Sequence, residues 1–190
     1  MLGSMGQRDD LMRGARQCIA EKGYSRTTAR DIAAASGANL ASIGYHFGSK
    51  AALLNAAVME SFDEWGDAVE EAMQDVSTDD PLDRLEGFLK RFLASTPSRR
   101  TMMVASMQAF AEAEFIPEIR AQLREGHADG IRSLAAIVLS IDPEELTEKD
   151  LSVGALALSL INGLSLQWLI SPETAPSAAD IATAIRRLAS

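Results

Sequence analysis

Cysteine, histidine and aromatic side chains are scarce in this 190-residue chain: one Cys, two His, and 5% Phe, Trp and Tyr together. A lone Cys18 rules out an internal disulfide framework and fits a reducing compartment. The two histidines, His46 and His127, are far apart, and no HExxH, CxxC, GxSxG or phosphate-loop glycine pattern is present. Metal-dependent and nucleophilic catalysis therefore lack their usual residues. Neighbouring acids such as Glu70-Glu71, Asp79-Asp80 and Glu144-Glu145 point in different directions on a helix and read as solvated faces. No pattern asks for a metal or cofactor, and the chain is not expected to be an enzyme. The N-terminus has no basic region followed by an apolar core and cleavage site, which argues for a cytoplasmic protein.

Positive charge is also in deficit, with 18 Lys and Arg against 27 Asp and Glu, a net charge of −9. Taken whole, that balance argues against nucleic acid. Divided, it does not: residues 1–50 carry seven basic against four acidic side chains, and residues 51–190 carry eleven against twenty-three. Local positive charge is what phosphate neutralisation needs. With 47% hydrophobic and 24% charged residues the chain is too apolar to be disordered.

The surplus of positive charge coincides with the stretch Thr27 to Lys50, TTARDIAAASGANLASIGYHFGSK. Thr28 and Asp31 have the spacing of a capping box, so a helix starts there. Ala29, Ile32 and Ala33 give it a narrow apolar stripe, and Gly37 supplies a left-handed stop. Asn39 can cap a second short helix with Leu40, Ile43 and Phe47 on one face. Gly48 then breaks the pattern, and Ser49 can cap a long helix from Lys50. Two short helices around a glycine turn outline a helix-turn-helix, whose second helix can enter a major groove. On chemistry, Thr27 and Thr28 can hold a phosphate at a helix N-terminus, or simply cap it. Asn39 and Ser42 can read base edges, Leu40 and Ala38 can touch thymine methyls, and Arg30 can reach groove or backbone. Ile32, Ile43 and Phe47 belong to the core.

The run Ile43-Gly44-Tyr45-His46-Phe47-Gly48-Ser49-Lys50-Ala51-Ala52-Leu53-Leu54, with Thr27 to Ala33 and Gly37, resembles the N-terminal DNA-binding domain of TetR/AcrR-type bacterial transcriptional regulators. Many members carry a tyrosine where this chain has Gly44; here Tyr45 adjoins His46, as in a subset of the family. The resemblance implies that Tyr45, His46 and Lys50 lie close to the DNA backbone, His46 having packing as its other reading. It implies a dimer built on the last two long helices, double-stranded DNA as partner, and a small-molecule effector in the C-terminal domain. Repression is the simplest mode.

The rest of the chain reads as all-α, about nine helices in total, with a helix-turn-helix domain over 1–50 and a ligand-binding and dimerisation domain over 51–190. Residues 8–23 form a first helix covering the motif, and residues 50–76 a long helix linking the domains. Pro81 opens an amphipathic helix ending near Pro97, and Ser98 caps another from Arg99 to about Glu114. Pro117 opens a longer one to about Ile141, in which Gly126 and Gly130 mark a kink or a close helix approach. Leu151 to Ile170 has twenty residues without a charge, but its serines, Asn162 and Gln167 and its acidic flanks argue against a membrane span. Burial on two sides explains it better, one side against its own domain and one against a second subunit. Gly154, Leu158, Ile161 and Ser165, with Ile181 and Ile185 of the final helix, are the expected dimer contacts. Trp65, Phe92, Met103, Met107, Phe110 and Trp168, with His127 and Asn162 as polar anchors, are the candidate walls of a largely apolar effector site; each has core packing as its plainer explanation. The rival to DNA reading is a helical sensor or scaffold of the same fold, motivated by Gly44 and the small residues of the second short helix.

Overall fold

The computed structural model describes residues 3–74 and 78–189, without the side chains of 3–5, 62, 65, 67–72 and 74. Among the described residues there are eight helices and no strand: α1 (Gly3–Lys22), α2 (Ala29–Ser36), α3 (Leu40–Phe47), α4 (Lys50–Gln74), α5 (Pro81–Glu112), α6 (Pro117–Leu139), α7 (Glu148–Ile170) and α8 (Ala178–Ala189). The difference from nine lies at Pro97, which α5 runs through instead of ending. Proline removes the N–H that Leu93's carbonyl would accept four residues back. The Thr96 hydroxyl donates to that carbonyl at 2.7 Å, while Ser95 and Ser98 bond Phe92 and Ser95 carbonyls in the same way. The lost bond is replaced locally, and the helix continues.

Packing divides the chain into two compact units, Met1–Glu64 with Arg100–Glu125, and Trp65–Arg99 with Gly126–Ser190. In the first, Leu11, Ala15, Cys18 and Ile19 of α1 share a core with Ile32, Ile43, Leu53, Leu54, Ala57 and Val58. Ala105 and Ala109 of α5 complete it. Each large aliphatic side chain buried there contributes about 1.5–3 kcal/mol. Cys18 is a core thiol, and burial pushes its pKa up. A Cβ at Gly14 would sit 3.0 Å from Ser36 Cβ and N, so α1 and α2 approach closely there. Asn55, fully buried on α4, donates to the Gln122 side chain at 2.9 Å.

The second unit is built around Phe88, Leu89, Phe92, Leu134, Val138, Ala157, Ile161 and Leu164. Buried Arg84 places two N–H groups on the Ile137 carbonyl at 2.8 and 2.9 Å, near the end of α6. Helix α7 is long and apolar enough, by length and composition, to cross a membrane. Its buried arc is Gly154, Ala157, Ile161, Leu164 and Ser165. The opposite arc, Ser152, Leu156, Ser159, Leu166 and Ile170, is exposed. Gly154 thus faces inward: a Cβ there would stand 1.9 Å from the Ile131 carbonyl oxygen. The close approach expected at Gly130 falls beside it instead, since a Cβ on Gly130 meets nothing within 4 Å.

Three helices begin with the same device. Asp31, Asp150 and Asp180 accept both the hydroxyl and the backbone N–H of Thr28, Thr147 and Ser177 at 2.6 to 2.9 Å. The Lys22 ammonium and then Thr28 hold Asp31 well below the usual carboxylate range, and Asp150 and Asp180 are lowered by their own caps. A carboxyl with a depressed folded pKa stabilises the fold above its unfolded value, near 4, and loses that contribution as pH falls through the folded one. The melting temperature is therefore expected to stay level from about pH 7 to 5 and to drop below about pH 4. A Thr147→Ala, Ser177→Ala chain should show a shallower acid limb in circular-dichroism melts at stepped pH.

Candidate nucleic-acid interface

The Thr28–Asp31 cap fixes where α2 starts, and Gly37, in left-handed conformation at φ 68°, stops it within eight residues. Asn39 then caps α3 by accepting the Ala41 N–H at 3.0 Å. Ser49 caps α4 through the Ala52 N–H, also at 3.0 Å. These punctuation residues set the rotation of α3. Ile43 points into the core, Phe47, His46 and Ser42 are half-buried, and Leu40, Ala41, Gly44 and Tyr45 face solvent. At 3.6 residues per turn the last four span an arc of about 140°. Two large apolar groups stand on it in the open, Leu40 at 47% exposure and Tyr45 at 83%.

In the first unit the charges sort themselves by partner. Arg13 pairs with Asp10, Arg16 with Glu60 and Glu64, and Lys22 with Asp31. Arg8 lies 5.3 Å from the centre of the Phe47 ring and 4.0 Å from Asp9. Arg26, Arg30 and Lys50 have no acidic partner among the described residues. Arg26 donates to the Lys22 carbonyl at 2.7 Å, and Lys50 to the Thr27 carbonyl at 2.9 Å, which ties the start of α4 to the cap of α2. Arg30 makes no bond there at all, so its guanidinium is available to an anion. These three cations equal in number the net charge of residues 1–50, seven basic against four acidic side chains.

Several expected DNA contacts are placed otherwise. Thr27 is buried and its hydroxyl donates to the Gly23 carbonyl at 2.8 Å, so it cannot hold a phosphate without breaking that bond. The Thr28 hydroxyl is taken up by the cap. Ala38 precedes the helix and packs against the core; Ala41 occupies the exposed position instead. Ser42 lies at the flank of the arc. His46 stacks edge-on with Tyr45 at 4.9 Å and faces Phe47 at 6.5 Å. Sequence reasoning overlooked Arg26, Ala41 and the outward direction of Gly44; residue-by-residue rotation from the Asn39 cap carries the signal for the last two.

Gly44 has a consequence of its own. A Cβ added there meets nothing within 4 Å. Gly44→Ala is therefore expected to raise stability by up to about 1 kcal/mol through helix propensity. It also plants a methyl on the outward face, so DNA affinity should fall while the melting temperature rises, two readouts moving in opposite directions.

Of the candidate effector walls, Phe92 lies in the core of the second unit and Met103 is buried in the first. Met107 and Phe110 are half-buried in the first unit, and His127, Asn162 and Trp168 half-buried in the second. The Trp65 side chain lies outside the described residues. Of the dimer candidates, Gly154, Ile161 and Ser165 are buried within their own chain, the Ser165 hydroxyl on the Ile161 carbonyl at 2.7 Å. Leu158, Ile181 and Ile185 pack partly against the same core. The large apolar side chains left open on these helices are Leu156, Leu166 and Ile170 of α7 and Leu188 of α8.

Residues 11–57 match the sequence family described as bacterial regulatory proteins of the tetR family, and residues 81–190 the BetI-type transcriptional repressor C-terminal domain. The HTH-type transcriptional repressor AcnR of Corynebacterium efficiens is 34% identical over 67 residues, 35% of this chain and 36% of that protein. The alignment thus spans about a third of that relative's length. A TetR transcription regulator from Haloarcula marismortui superposes with a TM-score of 0.61 at 22% identity, covering 96% of this chain and 94% of the other. A TetR transcriptional regulator from a Rhodococcus species gives 0.64 at 19%, over 96% and 93%. The multidrug binding protein EbrR, complexed with imidazole, gives 0.67 at 22%, over 95% and 88%. At these identities the superpositions show a shared fold.

Proposed function

This chain belongs to the tetR family of bacterial transcriptional regulators, and from that premise we propose that it is a repressor binding a palindromic operator as a homodimer and released by a small-molecule effector. The observation that carries DNA reading is the exposed arc of α3 together with two cations of the same motif, Arg30 and Lys50, neither paired with an acid among the described residues. An α-helix fits the major groove, phosphate contacts fix its pose, and side chains on the outward face meet base edges. Residues 1–50 act as the reading head and residues 51–190 as the effector-binding and dimerising part.

Dimerisation is supported by α7 and α8. Leu156, Leu166 and Ile170, the last 76% exposed, stand with Ser152 and Ser159 on the α7 face turned away from its own core, and Leu188 of α8 is 89% exposed. A second copy burying the same face gives a closed two-fold dimer, and two heads then read two half-sites in inverted order. For the effector we favour residues 51–190, on the residue types of His127, Asn162 and Trp168, which are half-buried in the second unit. The fold neighbour that binds imidazole makes a small, partly apolar effector a reasonable first class to screen. Release requires that the effector favour a dimer whose heads are wrongly spaced for the operator. A cytoplasmic location follows from that role.

Selection of duplexes from a random-sequence library by the purified chain tests this reading. The expected product is an inverted repeat that binds two chains, by sedimentation of the complex. Retained duplexes with no common sequence at any salt concentration would favour the helical sensor or scaffold.

A further inference from the structure

We infer that α3 reads its half-site chiefly through thymine C5-methyl groups, with Leu40 and Ala41 as the specificity-determining side chains. The inference rests on the operator-binding reading above and adds to it the chemistry of what is read. In the major groove guanine is matched by Arg or Lys, adenine by the two-point contact of Asn or Gln, cytosine by Glu or Asp, and thymine by an apolar group against its methyl. Helix α3, Leu40–Phe47, contains none of the six polar types. The adjacent Asn39 carries both groups an adenine contact needs, but its side-chain oxygen holds the Ala41 N–H at 3.0 Å as the cap of α3, so a two-point contact with adenine would have to share or break that cap. Arg30 belongs to the start of α2, the helix that in this motif crosses the backbone.

What α3 does present outward is apolar. Leu40 is half-exposed at the first position of the helix and Ala41 is exposed beside it. Gly44, one turn on, has no side chain, and a Cβ built there would meet nothing within 4 Å. Leu40 and Tyr45 mark the two edges of the arc, about 140° apart, with Gly44 and Ala41 between them. A groove-facing surface with a leucine, a methyl and bare backbone can approach base edges closely, and a thymine methyl is the group on them that it complements. Leu40 exposed to water is unfavourable in the free chain and becomes buried in this contact.

Substituting deoxyuridine for each thymine of the selected half-site in turn removes one methyl and nothing else. Wild-type protein is expected to lose about fourfold in affinity at one or more positions, the effect of unburying one methyl-sized group. Leu40→Ala is expected to bind thymine and deoxyuridine equally at the position Leu40 reads, with an unchanged melting temperature because the side chain leaves the core intact. Equal wild-type affinity for every deoxyuridine duplex, or a selected half-site without thymine, would overturn the inference and leave operator binding standing. Failure of the library to yield any common site would overturn both.

Discussion

A Gly154→Ala chain is expected to lose about 3 kcal/mol of stability or more, and to accumulate poorly as folded protein. The added Cβ would lie 1.9 Å from the Ile131 carbonyl oxygen, 2.9 Å from its carbon and 3.0 Å from the Ala135 nitrogen. All three are backbone atoms of α6, so no rotamer change relieves the overlap. Helices α6 and α7 would have to part by about 1 Å, opening the layer where Leu134, Val138, Ala157 and Ile161 interdigitate. Gly130→Ala is the matched control: it adds the same methyl to α6 with nothing within 4 Å and should gain up to about 1 kcal/mol. Thermal or urea unfolding of the two variants should move in opposite directions from the wild type.

Tyr45→Ala should do the reverse, sparing the fold and damaging DNA binding. The side chain is 83% exposed and its one ring partner among the described residues is His46, so stability is expected to change by less than about 0.5 kcal/mol. Operator affinity is expected to fall by about tenfold or more, the range of a lost nucleic-acid contact. Tyr45→Phe separates the ring from the hydroxyl: if the hydroxyl donates to a phosphate, the phenylalanine variant shares most of the loss. Titration of labelled operator beside a melting curve for each variant checks both halves.

Much of the reading head is legible in the sequence because its signals are short-range. Thr28, Asp31, Gly37, Asn39 and Ser49 each act within three residues of themselves, and the structure uses each as its spacing suggests. Pro97 misled because the proline rule concerns one missing N–H, and the side chains beside it can repair the carbonyl it strands. Gly154 is harder in kind. Small residues on a helix apolar all round permit a close approach, but which neighbour approaches depends on partners far along the chain, here Ile131 and Ala135. Thr27 and Thr28 look alike in sequence, and one position of rotation sends the first inward. The packing units likewise cut through α4, α5 and α6, because Leu53, Leu54, Ala105 and Ala109 finish the core begun by α1.

The claim at the centre is that α3 reads sequence, beyond any attraction of Arg30, Lys50 and their neighbours for phosphate. It is tested most directly by the ratio of affinities for the selected operator and a scrambled duplex, followed as salt rises. Both affinities should fall steeply with salt, while the ratio stays at about a thousandfold or more for the wild type and shrinks in Leu40→Ala. A wild-type ratio near one at every salt concentration would contradict the account, reducing the head to a basic surface without a sequence to read.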